Sequence, residues 1–333
     1  MAEILAHVYR GELAESLHRG DWVITDGQGR VVHSQGNPAK VTYWRSSAKP
    51  FQALPLVEHG AYGRFGLNQE ELAVMCASHS GETHHVQAVQ SILDKIGLDA
   101  GYLQCGIHPP VYRPAAEALA AQGREPTELH SNCSGKHSGM LALCQYHNWD
   151  LQTYLDPQHP LQQLTLGIIA DVTAVAREEI VIGVDGCGVP VFGLPLAGMA
   201  RAWAHLAAPN YHPRSQRRDA LQQVADAMRE YPHMVAGTER ICTDLMTGFA
   251  RRKLLAKMGA EAVYCVGLPR EGWGLALKVE DGNARAIPAI VLAILEEIGY
   301  SVQGVPELDQ YVPLVVKNHR QSIIGKIVPE VHL

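Results

Sequence analysis

The sequence lacks several features that would place it in a common class of protein. Its 333 residues contain 28 lysines and arginines against 34 acidic residues, so no basic surface is available for nucleic acid or anionic lipid. The longest apolar run, residues 287–295, is interrupted by Pro288 and is too short to cross a bilayer. Glycine-rich phosphate-binding loops are also missing. We therefore expect a protein that binds neither nucleic acid nor membranes.

An export signal and a disulfide framework are missing as well. The first residues, Met1-Ala2-Glu3-Ile4, lack the positive patch and the apolar block of a signal peptide. Seven cysteines, an odd number in a long chain without such a signal, argue against paired disulfides. We expect reduced cysteines and a cytoplasmic location. With 47% hydrophobic and 19% charged residues, the composition is that of a globular protein with a large core.

Strand patterns lie towards both ends of the chain, and helical patterns lie between them. Residues 21–33 alternate as a β-hairpin around a glycine turn, and an alternating segment returns at 274–279. Apolar residues recur at helical spacing in the middle, for example over 84–96 and 135–146. The pattern predicts the α+β class, an antiparallel sheet flanked by helices, in a single domain over residues 1–333.

A serine three residues before a lysine is the clearest chemical signal in the chain. On a helical turn, the hydroxyl of Ser46 and the amine of Lys49 would share one face. A serine becomes a nucleophile when a base takes its proton, and a lysine can be that base once burial or a second cation lowers its pKa. Because Lys49 precedes Pro50, Ser46 is expected in the turn before the helix. Ser-x-x-Lys indicates acyl transfer, although the same spacing also occurs on solvated helix surfaces.

Two other segments carry a hydroxyl or an amine that could join this chemistry. Ser78 and His79 adjoin at the end of a predicted helix, where they form either a hydrolase pair or a turn with local hydrogen bonds. Lys257 lies among apolar residues just before a predicted strand. A lysine in such surroundings usually extends its stem over the surface, and it can partner a serine only if the fold brings it inward.

Two cysteine segments suggest a metal site. Cys133 and His137 are four residues apart ahead of an apolar helix, and Cys187 follows Asp185 among glycines at the end of a predicted strand. Two thiolates are half of a tetrahedral zinc site, and spacing alone favours His137 as the third ligand. Either segment could instead be structural, one as a helix cap with a free thiol and the other as a tight glycine hairpin.

These clusters, together and in this order, resemble the zinc-containing L-asparaginases of class 3, first known as the inducible, thermolabile enzyme of Rhizobium. The resemblance covers nearly the whole chain, and its most specific part is N-C-S-G-K-H with V-D-G-C-G and S-x-x-K in one sequence. The matching segments are Tyr9–Glu12, Glu15–His18, Tyr43–Pro50, Ala77–His79, Asn132–His137, His159–Gln162, Val184–Gly188, Lys257–Glu261 and Lys278 with Asp281–Gly282.

The resemblance implies a fold like that of serine β-lactamases and related glutaminases, and a homodimer as the active species. It implies two serine–lysine pairs, Ser46 with Lys49 and Ser78 with Lys257. Either serine could be the first to attack. A lysine amine held close to another would be kept partly unprotonated by like-charge repulsion.

The resemblance also implies a zinc ion that raises substrate affinity and orients the substrate without performing the hydrolysis. Its ligands would be Cys133, Lys136 and Cys187, with water completing the shell, whereas spacing favours His137 over Lys136. The residues His137, Asp185 and Cys242 match further positions near the site, and His137 is expected to bind the substrate together with Arg45 and Asp185.

The expected reaction is hydrolysis of the side-chain amide of L-asparagine through an acyl-enzyme. Ser46 would attack with neutral Lys49 as base, while Arg45 meets the substrate carboxylate and Asp185 its ammonium group. Discrimination against glutamine is left open, since one methylene is worth only about 1–3 kcal/mol in a pocket.

Two alternatives remain for the same residues. A β-lactamase or penicillin-binding acylase would also use Ser-x-x-Lys, but this chain has no K-T-G and S-D-N partners. A non-catalytic scaffold stabilised by zinc would unfold on chelation and release no ammonia from asparagine.

Overall fold

The computed structural model describes residues 2–333, and its strands form two antiparallel sheets. The strands are β1 (Glu3–Arg10), β2 (Leu13–Asp26), β3 (Val31–Gln35), β4 (Val41–Tyr43), β5 (Val181–Val184), β6 (Pro190–Pro195), β7 (Leu255–Gly259), β8 (Val263–Leu268), β9 (Trp273–Val279), β10 (Leu314–Lys317) and β11 (Ile323–Pro329). The larger sheet has the order β10-β11-β1-β2-β9-β8-β7, with β3 paired to β2. Strands from the two ends of the chain therefore meet in one sheet.

The smaller sheet, in the order β4-β6-β5, delivers two segments to one place. The chain leaves β4 at Tyr43 and turns into Arg45 and Ser46, and it leaves β5 at Val184 and turns into Asp185. A strand end holds its neighbouring residues on a fixed support while the loop itself stays open, which suits groups that must contact a ligand.

Helices form most of the remaining structure. They are α1 (Lys49–Glu58), α2 (Ala61–Arg64), α3 (Gln69–Met75), α4 (Thr83–Ile96), α5 (Arg113–Ala121), α6 (Ser134–His147), α7 (Pro160–Thr173), α8 (Leu196–Ala207), α9 (Ser215–Glu230), α10 (Pro232–Val235), α11 (Ile241–Gly248) and α12 (Ile287–Glu297). Helix α4 begins at a capping box, and it ends at Gly97 in the left-handed region, where its sequence predicts the end. In residues 2–333, every helix is too short or too polar to span a bilayer.

Helix α6 is enclosed on all sides over its first three turns. Residues 134–144 are all buried, and a Cβ at Gly135 would lie 2.1 Å from the carbonyl oxygen of Val74. Glycine is therefore what lets α6 approach α3 so closely. As a consequence, the polar side chains of Lys136 and His137 are held inside the protein and must find partners there.

The α+β class predicted from the sequence is confirmed by this topology. The hairpin predicted over 21–33 is present as the end of β2 with β3, and the helices predicted at 84–96 and 135–146 are α4 and α6. The strand β2 is longer than its pattern indicated, because its first half extends into an exposed ribbon with β1.

Candidate active site

Two lysine amines meet at one serine hydroxyl. The Nζ atoms of Lys49 and Lys257 lie 3.0 Å and 2.9 Å from the Oγ atom of Ser78. Lys49 opens α1, Lys257 is the central residue of β7, and Ser78 follows α3, where its backbone N–H donates to the carbonyl oxygen of Val235 at 3.0 Å. Both lysines are 1% exposed, so solvent cannot screen the two amines from each other.

The amine of Lys49 also connects this hydroxyl to a thiol. It donates to the carbonyl oxygens of Ala77 at 2.6 Å and of Asn132 at 3.3 Å, and it lies 3.1 Å from the Sγ atom of Cys133. The serine–lysine group and the cysteine group are therefore one continuous site.

Lys257 has the properties of a proton acceptor near neutral pH. Burial and the neighbouring cation Lys49 lower its pKa to about 7, Arg240 contributes in the same direction, and the thiols of Cys242 and Cys133 oppose them. Its Nζ atom also donates to the carbonyl oxygen of Met258 at 2.8 Å, which fixes the amine beside Ser78.

Ser46 lies apart from this pair of lysines. It sits in a short 3-10 helix, Arg45–Ala48, and is half-buried. No hydrogen bond joins it to Lys49 in the described part of the chain, so the contact expected from the Ser-x-x-Lys spacing is replaced by the contact of Lys49 with Ser78. As expected, Ser46 precedes α1, but Lys49 itself is helical at φ −57° and ψ −37° despite Pro50, which occupies the first turn of α1.

The residue before Ser46 holds an unusual backbone conformation. Arg45 has φ +53°, a left-handed value that residues other than glycine rarely adopt. Its Nε atom donates to Oδ1 of Asp185 at 2.9 Å, and the backbone N–H of Gly186 donates to the same oxygen at 2.9 Å. Burial raises the pKa of Asp185, but Lys136 and Arg45 outweigh burial, so its pKa lies below the usual value. Asp185 is therefore an anion held beside a cation.

Cys133, Lys136 and Cys187 form a group of two thiols and one amine. The Nζ atom of Lys136 lies 3.0 Å from the Sγ atom of Cys187, and Cys133 and Cys187 are near enough to shift each other's pKa. The pKa of Cys133 is held well below its usual value by the hydrogen bond from Cys187 and, against the cost of burial, by Lys49 and Lys136. Burial lowers the pKa of Lys136, but the neighbouring thiols outweigh burial and raise it.

Two sulfurs and an amine that converge in this way fit a zinc ion chemically. His137 does not join them. Its Nδ1 atom lies 2.7 Å from Oη of Tyr154, and its buried Nε2 atom has no hydrogen-bond partner within residues 2–333. In that range, Cys133, Cys187 and His137 do not have ligand atoms that all lie within 4.8 Å of one another. In this structure Lys136 contacts the sulfur of Cys187, whereas His137 contacts Tyr154.

A different group could also hold a metal ion. The ligand atoms of Glu82, His84 and His85 lie within 4.8 Å of one another. In this structure, however, His85 accepts the backbone N–H of Glu82 through Nδ1 at 3.2 Å, and its Nε2 lies 2.9 Å from the carbonyl oxygen of His233. Both carboxylate oxygens of Glu82 accept hydrogen bonds from Thr238. A metal ion would have to replace these contacts.

Sequence reasoning missed one cation at the site. Arg240, just before α11, places its Nη1 atom 3.5 Å from Oγ of Ser80, and it lowers the pKa of Lys257 together with burial and Lys49. In the sequence, the glycine at position 237 indicates a turn three residues before Arg240, but a single glycine is too common to identify a functional site.

Comparison with known proteins gives a family match over nearly the whole chain. Residues 6–329 match a family model described as L-asparaginase II. No curated protein matches the sequence. Solved structures with some likeness include a β-lactamase from Mycobacterium bovis, at 13% identity over 84% of this chain and 94% of that chain, with a TM-score of 0.41.

Two other solved structures are similar to the same extent. Mglu, in its tris and glutamate form, has 16% identity over 95% of this chain and 67% of that chain, with a TM-score of 0.38. A mutant of simvastatin synthase from Aspergillus terreus has 14% identity over 78% of this chain and 86% of that chain, also with a TM-score of 0.38. At these scores the likenesses carry no argument about chemistry.

Proposed function

The chain belongs to the L-asparaginase II family of amidohydrolases, and on that premise we propose that it hydrolyses the side-chain amide of L-asparagine through an acyl-enzyme. The observation that carries the proposal is the contact of two buried lysine amines with the hydroxyl of Ser78. A pair of amines in this environment can hold one proton between them and pass it through the hydroxyl, which amide hydrolysis requires at two stages.

Ser46 is the proposed nucleophile because its side chain is half-buried, whereas Ser78 is 8% exposed between the lysines. The Oγ atom of Ser46 attacks the carboxamide carbon. Lys49 takes the proton of Ser46 and passes one of its own through Ser78 to neutral Lys257. Hydrogen bonds between catalytic groups are often longer without substrate and shorten in the complex. The carbon–nitrogen bond then breaks, ammonia leaves with a proton returned by the lysines, and water hydrolyses the β-aspartyl ester to aspartate.

Ser78 and Lys257 complete the proton path in this proposal. Ser78 accepts from either amine and donates to the other, so a proton taken by Lys49 can be shared with Lys257. The contact of Ser78 with both lysines also supports a second candidate, in which Ser78 itself attacks. The two candidates differ in which serine becomes acylated.

Arg45 and Asp185 are the proposed receptor for the α-carboxylate and the α-ammonium group. Their mutual hydrogen bond uses Nε of Arg45 and Oδ1 of Asp185, and the remaining guanidinium N–H groups and Oδ2 suit the opposite charges of an amino acid. The strained backbone at Arg45 supports this role, since strain of this kind concentrates where a side chain must be aimed. His137 is proposed to support the pocket from behind Lys136, because its ring is buried and held by Tyr154.

We also propose that Cys133, Lys136 and Cys187 hold a zinc ion. When bound, the ion would attract and orient the polar groups of the substrate, while the serines and lysines carry out the hydrolysis. Holding it requires Lys136 to give up its proton, which binding of the metal favours and the neighbouring thiols oppose. The resemblance to class 3 asparaginases supports a homodimer as the working form.

An ammonia-release assay on asparagine, glutamine and β-aspartyl peptides tests the function. We expect turnover of asparagine by the wild type and a loss of at least about a thousandfold in Ser46→Ala. Peptide mapping after an acid quench during turnover should find the aspartyl ester on Ser46. An ester on Ser78 would exchange the roles of the two serines. Absence of ammonia from every substrate would refute the proposal.

The same preparations separate the remaining alternatives. Stable labelling of Ser46 by a fluorescent penicillin would support a β-lactam-reactive acylase instead. Loss of the fold on chelation, without ammonia release from the metal-loaded protein, would support a zinc-stabilised scaffold.

A further inference from the structure

A loop, residues 235–240, runs along the back of the segment that carries Ser78. The backbone N–H of Ser78 donates to the carbonyl oxygen of Val235 at 3.0 Å. The hydroxyl of Ser80 donates to the carbonyl oxygen of Ala236 at 2.8 Å, and this hydroxyl is buried. The loop therefore sets the position of the segment that carries the hydroxyl of Ser78.

Glu82 holds the same loop from its other side. Its carboxylate accepts the backbone N–H of Thr238 at 2.9 Å and the hydroxyl of Thr238 at 2.7 Å. Between these anchors, Gly237 has φ +110°, and a Cβ there would lie 2.5 Å from Oε1 of Glu82 and 2.7 Å from Oγ of Ser80. Glycine is favoured at this position by both the backbone conformation and the space, and the loop lies close against residues 80–82.

The loop ends in a cation that has no anionic partner. Arg240 is half-buried, its closest polar contact is the hydroxyl of Ser80 at 3.5 Å, and it forms no ion pair with any carboxylate in the described range 2–333. Ser80 is two residues from Ser78, whose hydroxyl both buried lysines contact, so the charge of Arg240 lies behind the segment on which the two amines converge. A guanidinium does not lose its proton in proteins, so repulsion between Arg240 and a lysine is relieved by the lysine.

Lys257 is the lysine that responds. Burial, Lys49 and Arg240 lower its pKa, while the thiols of Cys242 and Cys133 oppose them. The titratable groups around the Lys257 amine, besides Arg240, are Lys49 in α1, Cys76 after α3, Cys133 before α6, Cys242 in α11 and Cys265 in β8. Burial raises the pKa of Cys76 and of Cys265 to about 12, so these two thiols stay neutral near pH 7.

We propose that Arg240 is a positioning residue for the amidase reaction: a fixed positive charge, held by the loop that Glu82 anchors, which keeps the amine of Lys257 free to exchange a proton with Ser78. This inference rests on the proposed function, because it assigns Lys257 a part in the proton path. Arg240 does not contact the substrate, so its removal should change proton transfer and leave substrate affinity unchanged.

The kinetic test compares the wild type with Arg240→Met and Arg240→Lys from pH 5.5 to 9.5. Removing the charge should move the acid limb of kcat to higher pH by at least about half a unit, as expected for the loss of a nearby charge. At the alkaline end, kcat should return to the wild-type value, and the KM for asparagine should stay within about twofold. Arg240→Lys keeps the charge and should keep the wild-type profile. Coincident limbs in Arg240→Met and the wild type, or a raised KM without a shift, would overturn the inference.

A second measurement needs no turnover. Protein labelled with ¹³C at the lysine ε-carbons is titrated by NMR, and the Lys257 signal is assigned by its loss in Lys257→Arg. Its midpoint should lie higher in Arg240→Met than in the wild type and in Arg240→Lys. Equal midpoints refute the role of Arg240 whatever the activity. A wild type that titrates as expected but releases no ammonia refutes the proposed function alone.

Discussion

The amine of Lys257 lies 2.9 Å from the hydroxyl of Ser78, although the two residues are 179 positions apart in the sequence. Lysine is normally a surface cation, and here burial and Lys49 have lowered its pKa to about 7. An amine with such a pKa exchanges protons readily at neutral pH, which is the property a general base or acid needs. The contact thus turns two common residues into a proton-transfer pair.

The pH dependence of activity follows from this pair. Below a pH of about 7, Lys257 carries a proton and cannot accept another, so kcat should fall as the pH is lowered through this value. Rates measured from pH 5.5 to 9.5 should show an acid limb centred near 7. Lys257→Arg, which stays protonated, should be inactive across the whole range. A wild-type profile that is flat between pH 6 and 8 would contradict a proton-accepting role for Lys257.

Removal of a thiol tests the metal site. Cys187 and Cys144 are both buried, but only Cys187 lies beside Lys136. Cys187→Ala should lose bound zinc by elemental analysis and raise the KM for asparagine by about tenfold or more, because a ligand and the orientation it gives are lost. Cys144→Ala provides the matched control, which removes a buried thiol and keeps the metal.

Chelation of the wild type completes this test. Circular dichroism should show that the fold survives removal of the metal, since the large core does not depend on the ion. Unfolding on chelation would mean that the ion is structural.

Patterns that depend on neighbouring residues could be predicted from the sequence. The alternation in 274–279 and the helical period of 84–96 are local, and both elements form where they were expected. The resemblance added the association of Cys133 with Lys136 and Cys187. In the structure, Lys136 contacts Cys187. Spacing alone pairs Cys133 with His137, which instead contacts Tyr154.

Contacts set by tertiary packing could not be predicted in this way. Lys49 contacts Ser78, 29 residues away, and not Ser46, three residues away. The reason is that α1 begins only at Lys49 and directs the amine towards the end of α3. His137 is buried because Gly135 lets α6 pack against α3, which its spacing from Cys133 does not reveal. Arg240 belongs to no motif, and its role depends on where the loop before α11 meets Ser80.

The C-terminus of α7 offers a stabilising substitution. Ala174 follows the helix with φ +55° and is exposed, so its methyl group is forced into a left-handed conformation without any compensating burial. Ala174→Gly should therefore raise the free energy of unfolding by about 1 kcal/mol, since glycine adopts this conformation without strain. Ala121→Gly, at the exposed end of α5, is the control: its residue is helical, and glycine there should lower the stability. Denaturant titrations of both variants decide the matter, and a stabilised Ala121→Gly would contradict the reasoning.

The ion pair between Glu58 and Arg217 joins α1 to α9 inside the protein. Both side chains are 8% exposed, and Arg217 also donates to Asp171 at 3.1 Å. Glu58→Gln should leave the guanidinium with Asp171, which it shares with His212 and Arg214, and breaking a buried pair in this way costs about 3 kcal/mol of unfolding free energy. Glu117→Gln, which breaks the exposed pair of Glu117 with Arg113, should leave the stability unchanged within error. Equal effects of the two substitutions in urea titrations would show that Asp171 alone compensates Arg217.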